Sequence, residues 1–200
     1  FAAVYLLVRI NSWYNEFYNA LQGYQEAKGD VVARVKYQLP NDPHVLFLTQ
    51  TGYYQSVPDK NFPDEICMNK EIYAFDFGKD NSVPPLLSYK MYDFIHDCET
   101  SARLEFSKEV PILTDLDHDG RPEIWIAYFK GCHGDVSPDE LKVFMYKDGK
   151  KHAIRGENRI FVDGQYLGGG YKMDNVMKRA NKVFSEYGVK LFNHLAESNQ

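Results

Sequence analysis

Four carboxylates crowd one short stretch of this chain, TDLDHDGRPEI over residues 114–124, at Asp115, Asp117, Asp119 and Glu123. Their chemistry is that of a hard-cation site. Calcium takes about six to eight oxygen ligands, and alternating side chains of a tight loop can converge on one point to supply them. Gly120 lets such a loop turn back without a Cβ clash. Magnesium fits less well, because it demands a stricter octahedron than a flexible loop provides. The alternative is an Asp- and Gly-rich turn whose acids face water. Against it, four carboxylates so close together repel one another unless a cation neutralises them. His118 sits at an intervening position and is expected in solvent.

A second set of reactive residue types follows in GCHGDVSPDELKVFMY, residues 131–146. Cys132, His133 and Asp135 could be read as nucleophile, base and acid. Three residues so close along an extended chain, however, do not readily point at one another. Ser137, Pro138 and Glu140 have the S-x-x-E spacing of a helix capping box, with Pro at the first helical position. Three cysteines, Cys67, Cys98 and Cys132, lack both a C-x-x-C pair and zinc-finger spacing. In an oxidising compartment Cys98 with Cys132 is the expected disulfide, since both flank the strands around the acidic loop. In a reducing one they would be buried thiols.

The elements that must position these residues follow from periodicity. Two hundred residues, 44% hydrophobic and 15% aromatic, suffice for one well-buried domain. VVARVKYQL (31–39) and HVLFLTQ (44–50) read as two strands around the turn chemistry of residues 40–43. A loop is expected from Gly52 to Asn69. KEIYAFDF (70–77) puts Tyr73, Phe75 and Phe77 on one strand face, and SYKMYDFIH (88–96) continues the pattern. In EIWIAYF both faces are apolar, Ile124, Ile126 and Tyr128 opposite Trp125, Ala127 and Phe129, which marks a central strand. Residues 141–156 read as a hairpin closed by Asp148-Gly149, and IFVDGQYL (160–167) as one more short strand. From Asp174, a plausible N-cap, the spacing of Val176, Ala180, Phe184, Tyr187, Leu191 and Leu195 predicts one amphipathic helix despite Gly188. The fold class is therefore mainly β within α+β. It is an antiparallel meander, comparable to a propeller blade, with an N-terminal and a C-terminal helix.

At the N-terminus, Trp13, Phe17 and Leu21 extend a helical pattern to about residue 22. The division is residues 1–22 as a helix, either fusion remnant or anchor, 23–30 as linker, and 31–200 as one β-rich domain. The apolar run at the start is too short to span a bilayer and is interrupted by Arg9. Membrane contact is expected only through residues 1–22. A net charge of −5 argues against a protein held mainly by nucleic-acid phosphates, and no nucleic-acid partner is expected.

Three resemblances sharpen these expectations. The acidic loop begins D-x-D-x-D-G like an EF-hand, but the twelfth position is Ile126, which cannot ligate. With its last acid at the ninth position it resembles the calcium loops of FG-GAP/VCBS-type β repeats. That resemblance implies Asp115, Asp117, Asp119 and Glu123 as side-chain ligands and the carbonyl of Arg121 as a fifth. LLVRINSWYNEFYNALQ, residues 6–22, resembles a stretch of the membrane domain of SbmA/BacA-like peptide transporters. The other membrane helices and the phosphate loop of such transporters are missing, so transport does not carry over.

The third resemblance runs from about residue 70 to 195. FIHDCE, LTDLDHDGRPEIWIAY, KGCHGDVSP, KKHAIRG and GGGYKMD are similar to a family of bacterial exported proteins linked to surface-polysaccharide biosynthesis. It implies a periplasmic or secreted location and a role in lipopolysaccharide or capsule production, with surface glycan or envelope biosynthesis proteins as partners. It brings no catalytic residues. The expected function is therefore a non-catalytic, calcium-stabilised accessory or glycan-binding protein of the cell envelope. The alternatives are a polysaccharide-acting enzyme using two carboxylates among Glu123, Asp135 and Glu140, and an interaction module tethered to a transporter.

Overall fold

In a computed structural model of the chain, residues 15–40, 42–56, 67–79 and 84–197 are described. Helix α1 (15–23) precedes a first set of strands: β1 (Asp30–Leu39), β2 (Asp42–Gln50), β3 (Tyr54–Gln55), β4 (Met68–Gly78) and β5 (Leu86–Cys98). These form sheet A, wholly antiparallel. β2 and the short β3 share one edge of β4, and β5 takes the other.

Sheet B contains β6 (Ala102–Phe106), β7 (Ile112–Thr114), β8 (Glu123–Cys132), β9 (Glu140–Lys147), β10 (Lys150–Glu157) and β13 (Tyr171–Met173). Here β6 and β7 line one edge of β8, and β9, β10 and β13 follow in turn on the other. A separate hairpin joins β11 (Arg159–Val162) to β12 (Gln165–Gly168). Helices α2 (Asn175–Arg179) and α3 (Lys182–Glu197) end the described chain. The fold is mainly antiparallel β with a helix at each end, and neither sheet closes.

The two sheets stack, with a helix on each outer face. Strand alternation decides which side chains go where. Leu46, Leu48, Ile72, Ala74 and Met91 of sheet A meet Ile124, Ile126 and Tyr128 of sheet B in one core. The opposite face of sheet A, with Val45, Phe47, Phe75 and Phe77, is covered by Phe17 and Leu21 of α1. Burying those two helix side chains stabilises by about 1.5–3 kcal/mol each. The helix pattern from Phe17 to Leu21 therefore serves packing on this domain; residues 1–14 of the expected N-terminal segment lie outside the described residues. The expected linker is an ordered connection. Ala27 N–H donates to Tyr24 O, and Lys28 Nζ reaches Glu71 at 3.1 Å.

α3 covers the other face of sheet B, where Trp125, Val143, Met145 and Ile154 meet Phe184, Leu191, Phe192 and Leu195. Gly188 sits mid-helix because a Cβ there would lie 2.8 Å from Ile154 Cδ1 and 3.1 Å from Trp125 Cζ3. The single C-terminal helix expected from periodicity is two. α2 begins at the Asp174 N-cap, whose carboxylate accepts from Met177 N–H at 2.7 Å, and the backbone turns extended at Ala180. Likewise the single strand expected at 160–167 is the β11–β12 hairpin, with Asp163 and Gly164 both at positive φ. The capping-box reading of Ser137 to Glu140 fails: Glu140 opens a strand, and Ser137 Oγ donates to Asp135 instead.

Three features lock the sheets together. Tyr89 of β5 stacks on Tyr146 of β9 with ring centroids 4.5 Å apart. Cys98, at the end of β5, is disulfide-bonded to Cys132, at the end of β8, with Cα atoms 5.8 Å apart. This is the pair expected from the sequence, and it is consistent with an oxidising, extracytoplasmic compartment. No helix among the described residues is long and apolar enough to cross a membrane.

The third lock is Asp93 on β5, which accepts from Tyr128 Oη at 2.7 Å, Lys142 Nζ at 2.7 Å and Lys130 Nζ at 2.9 Å. Burial alone would raise the Asp93 pKa; the Lys142, Tyr128 and Lys130 hydrogen bonds outweigh it and hold the carboxyl well below the usual range. A depressed folded-state pKa adds stability above the unfolded value, and that stability is lost as pH falls below about 4. Urea melts of wild type and Asp93→Asn should therefore differ clearly at pH 7, and the gap should shrink by pH 3. A gap independent of pH would contradict the charge-based account.

Candidate metal centre at the acidic loop

The loop between β7 and β8 is shaped by its own acids. Asp115 caps it from within: Oδ1 accepts from Asp119 N–H and Oδ2 from Gly120 N–H, both at 3.1 Å. His118 (φ 57°) and Gly120 (φ 76°) supply the left-handed backbone that brings the chain round. His118 is exposed, as expected. Glu123, the first residue of β8, is fully buried. Its Oε2 accepts from Thr114 Oγ1 and Leu116 N–H, both at 2.8 Å, and Trp125 Nε1 donates to that threonine at 2.9 Å. The loop is thus wired into the core of sheet B.

A cation stands at the point where the oxygens converge, and it belongs to the chain. Lys147 Nζ lies 2.7 Å from Asp117 Oδ1, 3.0 Å from Asp119 Oδ1, 3.2 Å from the Arg121 carbonyl and 2.8 Å from Glu123 Oε1. Four of the five ligands implied by the calcium-loop resemblance therefore surround an ammonium. The Lys147 side chain is only 8% exposed. Burial pulls its pKa down, but hydrogen bonds to Asp117, Glu123 and Asp119 overcome this and hold it well above its ordinary value. The Lys147 hydrogen bond, and then the Arg121 backbone N–H, hold the Asp119 carboxyl below its usual range.

Two of these acids, with Asp115 in place of Asp119, could hold a metal ion. Asp115, Asp117 and Glu123 each offer a carboxylate oxygen, all within 4.8 Å of one another. Four carboxylates against one ammonium leave three negative charges uncompensated, since the Arg121 guanidinium pairs with Asp148 at 2.7 Å instead. A cation with oxygen ligands suits that excess. Lys147 was not foreseen as a partner. The register of β9 against β8, with Tyr146 opposite Ile124, brings Lys147 beside Glu123, and no local sequence signal carries it.

The other candidates separate. Cys132 is in the disulfide and cannot act as a nucleophile. His133 Nε2 lies 2.9 Å from Asp139 Oδ1, whose other oxygen accepts from Arg103 Nη1 at 2.8 Å. Gly131 makes room for this cluster, because a Cβ there would lie 1.9 Å from Asp139 Oδ1. Asp135 is an exposed loop residue. Glu123 opens the ten-residue β8 and Asp135 follows its far end, so a strand about 30 Å long separates them, against the roughly 5–10 Å of a paired-carboxylate hydrolase. Glu140, on β9 opposite Lys130 of β8, pairs with Lys142 at 3.2 Å. No protein-family model, curated protein or solved structure matches this chain.

If Lys147 is the cation that neutralises Glu123, removing it without metal leaves a buried uncompensated charge. Lys147→Met in chelator should lose about 3–5 kcal/mol in a urea melt. A loss under 0.5 kcal/mol, on the order of an ordinary surface change, would show that the ammonium is not needed there.

Proposed function

We propose that this is a non-catalytic, extracytoplasmic accessory protein of surface-polysaccharide production, which binds glycan on the outer face of sheet A. Its acidic loop takes calcium in exchange for the Lys147 ammonium. The observation that carries the reading is a row of rings crossing β4 and β5. Phe75 and Tyr73 stack with centroids 5.5 Å apart, Tyr73 and Tyr92 at 4.9 Å, and Tyr92 and Phe94 at 5.4 Å. Phe94 meets His96 at 4.3 Å. The inner end is buried near α1, while Tyr92 and Phe94 are 41% and 40% exposed.

Buried Glu71 anchors that row. Tyr73 Oη donates to it at 2.8 Å and Tyr92 Oη at 3.1 Å, with Lys28 on the same carboxylate. The rings are thus held rigid, so little side-chain entropy is lost when a sugar stacks on them. The scattered carboxylates argue against the hydrolase alternative, and the disulfide and the resemblance over residues 70–195 support the envelope setting.

Oligosaccharides released from lipopolysaccharide and capsule, titrated calorimetrically into the protein, should bind. Tyr92→Ala with Phe94→Ala should weaken binding at least about tenfold, one or two stacked rings being worth roughly 0.5–1.5 kcal/mol each, while leaving the fold intact. Equal affinity in the double variant would sink the reading. For the loop, calcium should bind wild type weakly and Lys147→Met at least about tenfold tighter, because the variant has no ammonium to expel. Absence of calcium uptake by both proteins would exclude the metal.

A further inference from the structure

The inner face of sheet B carries a charge pattern that neither the loop nor the ring row uses. On β9, β10 and β13, Lys142, Arg155 and Lys172 stand directly across from one another. Neighbouring strands are about 4.8 Å apart, so three cationic side chains form one row across the sheet. Lys151 leans in from the same face: its Nζ lies 3.8 Å from the Phe144 ring centroid, with the Arg155 guanidinium 5.3 Å from the same ring. Lys142 is held by Asp93 and Glu140. Among the described residues, Lys151, Arg155 and Lys172 have no carboxylate at ion-pair distance, and all three are exposed. Partial desolvation of its ammonium against the Phe144 ring, and then the neighbouring Arg155 charge, depress the Lys151 pKa.

One rung along, the pattern reverses. Glu140 and Glu157 face each other across β9 and β10, beside the cationic row. Together with Lys142, Arg155, Lys172 and Tyr171 they line a groove of about 550 Å³. We infer that this groove binds an anionic saccharide: Arg155 and Lys172 take its carboxylate or phosphate, and Glu140 and Glu157 accept from its hydroxyls. The arrangement suits that ligand better than a bare polyanion, because the two glutamates would repel a continuous line of phosphates. Guanidinium and carboxylate geometry favours a bidentate contact at Arg155. The cationic row stands out against a net charge of −5 for the whole chain. The inference rests on the glycan reading for the class of ligand, but it uses a different face and different residues.

The test is calorimetric titration of the full chain with trigalacturonate, its methyl ester, a hexose phosphate and a DNA oligonucleotide. Trigalacturonate or the hexose phosphate should bind at least about tenfold tighter than the uncharged ester, one bidentate charged contact being worth roughly 1.5–3 kcal/mol. Added salt should weaken that binding. Arg155→Gln with Lys172→Gln should erase the preference for the charged sugar, while Tyr92→Ala with Phe94→Ala should leave it in place. Equal binding of acid and ester, an unchanged preference in the Arg155/Lys172 variant, or tighter binding of DNA would each overturn the inference. Neutral glycans bound at Tyr92 without any charged preference would defeat this inference alone. A charged preference that depends on Arg155, without neutral binding, would defeat the ring-row reading alone.

Discussion

A carboxylate buried at the first residue of a central strand must be neutralised where it stands, and much of this molecule is arranged around that requirement. Glu123 has no exposure, and the ammonium of Lys147 answers it at 2.8 Å. The pairing ties together elements distant in sequence. Lys147 closes β9 just before the Asp148-Gly149 turn, so the register of β8 against β9 is fixed by charge as well as by the hydrogen-bond ladder. Thr114 carries the link from Glu123 to the indole of Trp125, which packs under Tyr187 of α3. Phe184, at the start of the same helix, lies 5.4 Å from the ammonium. The acidic loop, the hairpin and the C-terminal helix thus share one electrostatic centre.

That centre lies at one end of sheet B, away from the surfaces proposed to bind glycan. The stack of helix, sheet, sheet and helix buries the apolar faces but does not cover everything. α1 covers only the start of β5, at Leu87, and the strand shows Tyr92 and Phe94 to solvent further along. The inner face of β10 and β13 is likewise exposed, with its cations and acids in alternate rungs. Both surfaces sit on strands, whose side chains are fixed in direction by the pleat, and preorganised groups bind at lower entropic cost than loop residues.

Much of this was legible in the sequence, because the alternation of apolar and polar residues is a local signal. EIWIAYF read as a strand buried on both sides, and Asp148-Gly149 as a tight turn. KEIYAFDF is just as deeply buried, but its second cover comes from α1, a contact no strand period reports. The Asp163-Gly164 turn was as visible as Asp148-Gly149, and the strands it joins are simply too short to show a period. The break at Ala180 was hidden because apolar spacing continued across it, and Gly188 looked like a flaw until Trp125 and Ile154 gave it a reason. The acids of the loop were evident in sequence, whereas their partner was not. Lys147 reaches them only through strand register, as the ring row and the cationic row arise only across paired strands.

The identity of the cation in the loop tests the account most directly, and the lysine ammonium can be observed by nitrogen-15 NMR. In metal-free protein the Lys147 Nζ–H signal should be visible and protected from exchange with water, with a scalar coupling to the Glu123 carboxylate carbon, and calcium should remove both. An ammonium that exchanges freely with water in the metal-free protein, with no coupling to Glu123, would contradict the account.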